Sequence, residues 1–151
     1  RQDFEAHNGS TINVQGGVIG SEFEALDGST INLSGGNVNR GFSANAGSEI
    51  NIFGSAFRLN DGQPLLENPG ESLIITSRGR FSLSGFLADG TPFEFALEDS
   101  QTGFGDFFDR DATLRIIQVV PEPSTLVSFV ALLLCYYTCL SSAERRILNI
   151  P

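Results

Sequence analysis

Apolar and polar positions in residues 4–60 recur with a fixed spacing of 19. Phe4-Glu5-Ala6 returns as Phe23-Glu24-Ala25 and Phe42-Ser43-Ala44. Gly9-Ser10-Thr11-Ile12-Asn13-Val14 returns as Gly28-Ser29-Thr30-Ile31-Asn32-Leu33 and Gly47-Ser48-Glu49-Ile50-Asn51-Ile52. Gly16-Gly17 returns as Gly35-Gly36 and decays to Gly54-Ser55. Each unit holds short alternating segments, too short for helices. Ile12 and Val14 are two apart and share one face of a strand, while Asn13 points to the other. A short fixed period punctuated by glycine predicts a parallel β-solenoid with 19-residue coils. Stacking the coils ~4.8 Å apart sets like residues over like. Phe4, Phe23 and Phe42 then form one interior ladder, and Ala6, Ala25 and Ala44 a second. Ile12, Ile31 and Ile50 form a third, and Val14, Leu33 and Ile52 a fourth. Ile19, Val38 and Phe57 close the core.

Beyond residue 60 the pattern changes. Asp61-Gly62 signals a tight turn between short strands, and residues 67–71 read as a Pro/Gly loop. Ser72–Thr76 is a strand candidate. Phe81, Leu83, Gly85 and Leu87 alternate with polar or small residues, Asp89-Gly90-Thr91-Pro92 turns the chain, and Phe93, Phe95 and Leu97 alternate back as a hairpin. Residues 101–111 read as a Gly/Asp/Phe loop and residues 112–119 as a last strand. The predicted layout is all-β. Repeats fill residues 1–60, and an antiparallel unit over 61–119 caps the open edge of the stack. A C-terminal segment occupies 120–146, with a helix over 125–142 and a short tail over 147–151.

That segment is the most informative part of the chain. Leu126–Leu140 carries no charge, and with Thr125 and Ser141-Ser142 it spans 18 residues. As a helix it would be ~27 Å long, close to a ~30 Å hydrocarbon core. Arg145 and Arg146 follow at once, which places the C-terminus in the cytoplasm and residues 1–120 on the far side of the membrane. Pro121 and Pro123 lack an N–H and hold residues 120–124 extended. Val120-Pro121-Glu122-Pro123, the apolar helix and Arg145-Arg146 together resemble the PEP-CTERM sorting signal of Gram-negative envelope proteins. The resemblance implies recognition by an exosortase, a membrane-embedded cysteine-protease-like enzyme, and delivery to the cell surface or matrix. Residues 147–151 extend past the point where such tails usually stop. The whole layout also resembles, more loosely, repeat-containing surface proteins of planctomycete bacteria. Export of this kind needs a signal peptide. None precedes Phe4 and the repeats begin in register, so a signal peptide and further 19-residue units are expected upstream.

Charge narrows the partners. Arg145 and Arg146 balance Glu122 and Glu144, so residues 1–120 carry the whole net charge of −9. That net negative charge would not neutralise phosphates and argues against nucleic acid as a partner. Every cation is arginine. Both cysteines, Cys135 and Cys139, lie in the apolar run one helical turn apart, so the outer part has no disulfide and depends on packing.

Candidate chemistry is sparse. Asn13, Asn32 and Asn51 form the most regular polar feature. Stacked amides hydrogen-bond along the stack, or they present a flat face to an ordered ligand such as a polysaccharide. Thr11 and Thr30 flank them, but Glu49 breaks the threonine array that ice binding would need. Glu5 and Glu24 stack, and Asp106, Asp109 and Asp111 cluster in a glycine-rich stretch. Calcium takes several oxygen ligands from such loops, yet this spacing matches no calcium loop, and solvated carboxylates are the simpler reading. His7 is the only histidine and its repeat equivalents are Leu26 and Asn45. No Ser-His-Asp or Cys-His site assembles in the outer part except through it. The sequence therefore points to a non-enzymatic surface protein without a cofactor, structural or adhesive in role. A polysaccharide-binding or polysaccharide-degrading module is the alternative.

Overall fold

The computed structural model describes residues 4–19, 23–38, 41–100 and 105–120. Those residues are all-β: eleven strands and no helix. The sorting motif beyond Val120, the membrane helix predicted over 125–142 and the tail lie outside them. No helix among the described residues is long and apolar enough to cross a membrane.

Three 19-residue units each contribute a short strand and a long one. The short strands are β1 (Phe4–Ala6), β3 (Phe23–Ala25) and β5 (Phe42–Ala44); the long ones are β2 (Thr11–Ile19), β4 (Thr30–Val38) and β6 (Glu49–Leu59). Like pairs with like. Phe4, Phe23 and Phe42 are partners in one parallel sheet, as are Ala6, Ala25 and Ala44. Ile12, Ile31 and Ile50 are partners in a second parallel sheet, as are Asn13, Asn32 and Asn51, and Val14, Leu33 and Ile52. Both sheets feed one apolar core. The phenylalanine rings stack with centroids 5.1 Å apart, from Phe4 to Phe23 and from Phe23 to Phe42; Phe23 and Phe42 are fully buried, whereas Phe4, expected inside, is 45% exposed.

The turn between the two strands also repeats. In each unit a serine, Ser10, Ser29 or Ser48, donates its hydroxyl 2.6 Å to the carbonyl three residues back. The glycine before it holds φ between 71° and 77°. A side chain would be strained in that left-handed region. At Gly47 it would also run into the carboxylate of Asp27 on the adjacent unit.

The chain rejoins the stack through two strands, one inside the expected loop over 101–111 and one on the last strand expected over 112–119. β10 (Phe107–Phe108) pairs in parallel with β5, and β11 (Thr113–Gln118) pairs in parallel with β6. Leu114 falls opposite Ile50, Arg115 opposite Asn51 and Ile116 opposite Ile52. Residues 107–118 thus form a fourth tier, and the antiparallel reading of 61–119 is corrected there. The physical reason is that Leu114 and Ile116 present the same inward spacing as Ile50 and Ile52. Phe108 takes the alanine position, opposite Ala44. Asp106, the residue that precedes β10, accepts the Phe42 amide at 3.0 Å across a separation of 64 residues. The bulky and small positions of the rung have traded places.

The residues between the third and fourth tiers make the antiparallel additions. β7 (Ser72–Ile75) lies along the free side of β11. β8 (Ser82–Leu87) and β9 (Pro92–Ala96) form the hairpin predicted around Asp89-Gly90. Gly54 is opposite Leu87 of β8 and Gln118 of β11, so the hairpin occupies the side of β6 that faces β4. It wedges in where β4 and β6 part after Leu33 and Ile52, rather than closing an end of the stack. Asp89 fixes it there. Its amide donates to the Ser34 carbonyl, and its carboxylate accepts the Gly36 amide at 2.8 Å. Gly54 permits the approach, because a Cβ there would strike the Phe86 carbonyl. The Asp61-Gly62 turn forms, but the next strand starts only at Ser72. Asn60 and Asp61 hold φ of 48° and 55°, and Pro64 has no N–H to offer a ladder.

Candidate functional site

The amide column is continuous. Asn51 Nδ2 donates to Asn32 Oδ1 at 3.0 Å, and Asn32 Nδ2 donates to Asn13 Oδ1 at 2.8 Å. All three side chains lie on the outer face of the second sheet, with Asn13 exposed and the others half-buried. Asn13 thus spends an acceptor, Asn51 a donor and Asn32 one of each on its neighbours. Arg115 continues the column on the fourth tier, with its Nε buried and without a partner among the described residues. A shallow depression of about 250 Å³ lies beside the column, lined by Asn13, Gln15, Asn32, Ser34 and Phe53. The three asparagines are brought together as the spacing predicted, and their direct contacts serve the stack.

The acidic residues are placed individually. Asp106 accepts backbone amides from Phe42 and Ala96 on its two oxygens. Asp109 accepts the Asp111 amide, and Asp99 pairs with Arg110. Glu24 accepts from Asn45 Nδ2 at 2.8 Å. His7 is exposed, 3.8 Å from Glu5. Among the described residues no three His, Cys, Asp or Glu side chains form a group able to hold a metal ion. Of the sorting motif only Val120 is described, and it is exposed. Pro121, Glu122, Pro123, Arg145 and Arg146 lie outside.

A second surface had no signal in the periodicity. It forms where the hairpin meets the end of β6. Across β6, β8 and β9, Arg58, Ser84 and Glu94 are direct partners; Ser55, Phe86 and Pro92 form the next row. Directly opposed residues point to the same face of a sheet. Between the rows, Ala56 and Phe57 on β6 oppose Gly85 alone, a bulge. Ala56 carries φ of 54° there, unusual for a residue with a side chain. The extra residue turns Phe57 into the core, where it is fully buried, and returns Arg58 to the outer face. The result is an open cleft of about 510 Å³ lined by Arg58, Ser84, Phe86, Pro92, Phe93 and Glu94, with Ala56 and Gly85 between the rows. Phe86 stands 48% exposed, high for so large an apolar ring. Arg58 is steadied by a 2.6 Å hydrogen bond from Nη1 to the Gly62 carbonyl. The sequence placed Phe86 between the inward-facing Gly85 and Leu87 positions; only an odd phenylalanine at an outward hairpin position hinted at a site.

Comparison with protein-family models, with curated proteins and with solved structures gave no match to this chain.

Proposed function

We propose that this chain is a non-enzymatic, exported protein of the bacterial cell envelope, a short parallel β-solenoid with a structural or adhesive role, sorted by its PEP-CTERM-like C-terminal segment. The observation that carries the reading is the in-register pairing of residues 19 apart across both sheets, extended by a fourth tier. Such a stack builds a scaffold from nearest-neighbour contacts between tiers and needs no disulfide. Two carboxylates serve the scaffold: Asp89 and Asp106 accept backbone amides. The membrane helix over 125–142 and the motif Val120-Pro121-Glu122-Pro123 with Arg145-Arg146 rest on the sequence resemblance. The exosortase-type partner rests on it too.

The test is deletion of residues 121–146 in a host carrying an exosortase-type sorting system. Cell-surface display is read by protease shaving of intact cells. Loss of display is the expected result; unchanged display would overturn the reading. A second reading, a polysaccharide-binding module on the same scaffold, is favoured by the amphipathic cleft beside the inserted hairpin.

A further inference from the structure

We infer that the cleft between β6 and the β8–β9 hairpin is a subsite for one pyranose ring of a neutral polysaccharide. This rests on the polysaccharide-binding reading and names its ligand and its contacts. A pyranose has two chemically distinct parts, an axial C–H face that is apolar and an equatorial rim of hydroxyls. The cleft has the matching pair. Phe86 and Pro92 sit side by side in one row and are both exposed, forming an apolar platform. Arg58, Ser84 and Glu94 form the parallel row two residues along, about 7 Å away at strand spacing. That is the width of one sugar ring. The polar row offers guanidinium donors, a carboxylate acceptor and a hydroxyl that serves as either, which is the set a vicinal diol needs.

Three further features belong to this surface and not to the repeat. Its β8 and β9 side is built on the residues inserted between the third and fourth tiers, and in repeat proteins such insertions are often the binding face. The bulge at Ala56 places Arg58 in the polar row, and bulges of this kind re-aim side chains beside sites. The volume of about 510 Å³ suits a ring with its first linkages. Charge selects among sugars. Arg58 and Glu94 are one cation and one anion on the same row, and the chain as a whole carries −9. An acidic polymer meets net repulsion, so a neutral hexopyranose chain is the ligand class.

The experiment uses the full chain in a polyoxyethylene detergent, since sugar-headed detergents would compete. Hexasaccharides of neutral glucan, mannan and galactan, with oligogalacturonate as the charged counterpart, are titrated by calorimetry. At least one neutral oligomer binds, and oligogalacturonate binds more weakly. Phe86→Ala weakens binding at least about tenfold, the scale of losing one aromatic anchor, and Arg58→Gln and Glu94→Gln each weaken it. Ile74→Ser, exposed on β7 away from the cleft, leaves it unchanged. Phe86 is exposed, so its variant keeps the fold, checked by an unshifted melting temperature. Binding by the parent chain that survives Phe86→Ala and Arg58→Gln overturns the subsite while the polysaccharide reading stands. Absence of binding to every oligomer overturns both.

Discussion

Phe108 lies directly opposite Ala44, 64 residues after it, and its ring centroid is 5.3 Å from that of Phe42. A phenylalanine thus stands in the alanine column, with Asp106 two residues before it holding the Phe42 amide. It also brings Phe95 of the hairpin into the same aromatic cluster, 6.1 Å from Phe108. The end of the excursion and the end of the stack are therefore one packing event. Phe108→Ala opens a cavity in a fully buried site and costs about 3–5 kcal/mol. Phe86→Ala, at an exposed ring, costs about 0.5 kcal/mol or less. Urea unfolding of both variants checks the contrast; equal losses would mean that Phe108 is not in the shared core.

The amide column has a middle and two ends. Asn32 both donates and accepts, whereas Asn13 only accepts and Asn51 only donates within it. Each net hydrogen bond is worth about 0.5–1.5 kcal/mol. Asn32→Ala is expected to destabilise about twice as much as Asn13→Ala. The comparison is read from urea midpoints, and equal losses from the two variants would show that the column does not act as a chain.

Arg78 clamps the fourth tier. Its guanidinium donates to the carbonyls of Ile75, Ser77, Asp109 and Ala112 at 2.8, 3.0, 3.2 and 2.9 Å. Partial burial pulls its pKa down, and Asp109 and Asp99 oppose that. Lysine supplies the charge without the planar fork. Arg78→Lys is expected to cost about 2 kcal/mol and to raise hydrogen exchange at the Asp111 and Ala112 amides. Exchange rates unchanged from the parent would argue against the clamp.

Acid should weaken the fixing of the hairpin. Partial burial pushes the Asp89 carboxyl up, but hydrogen bonds from the Thr91 amide and hydroxyl, the Gly36 amide and its own amide together outweigh it, and the folded-state pKa lies below the ordinary value. A lowered folded-state pKa means that the folded form favours the carboxylate. Its contribution is complete above the unfolded-state pKa and is lost as pH falls through the folded one. Glu71, held down by Asn68, and Asp99, held down by Arg110, act in the same sense. Melting temperature should fall below about pH 4. In Asp89→Asn the acid limb should be shallower. An acid limb parallel to that of the parent chain would place the proton uptake elsewhere.

Much of this architecture was legible because a parallel stack repeats its environment. Phe23, Ile31 and Leu33 meet the same neighbours as Phe42, Ile50 and Ile52, so their spacing alone fixes which face each occupies. The fourth tier was legible as a last strand but not as a tier, because most of its markers changed. Asp106 and Phe108 stand where Phe42 and Ala44 do, Asp111-Ala112 where Gly47-Ser48 does, and Arg115 where Asn51 does; Thr113, Leu114 and Ile116 keep the repeat's pattern. The hairpin was readable as a hairpin from Asp89-Gly90, but not its berth between the second and third tiers. That depends on Gly54 and on the Asp89 contacts to Ser34 and Gly36, which are long-range. The cleft was hidden for the same reason: Arg58 reaches the polar row through a bulge, and a bulge breaks the alternation by which faces are read.

Disulfide trapping tests the stacked register most directly. In a chain with Cys135 and Cys139 replaced by serine, Asn51→Cys is combined with Arg115→Cys. Opposed neighbours on adjacent strands fall within the Cα separation of about 4.4–6.8 Å that a disulfide spans. Asn13→Cys with Arg115→Cys is the comparison pair, three strand spacings or about 14 Å apart. Rapid intramolecular bonding in the first pair and none in the second is the predicted outcome. No bond in the first pair, or equal bonding in both, would contradict the four-tier stack on which the proposed scaffold rests.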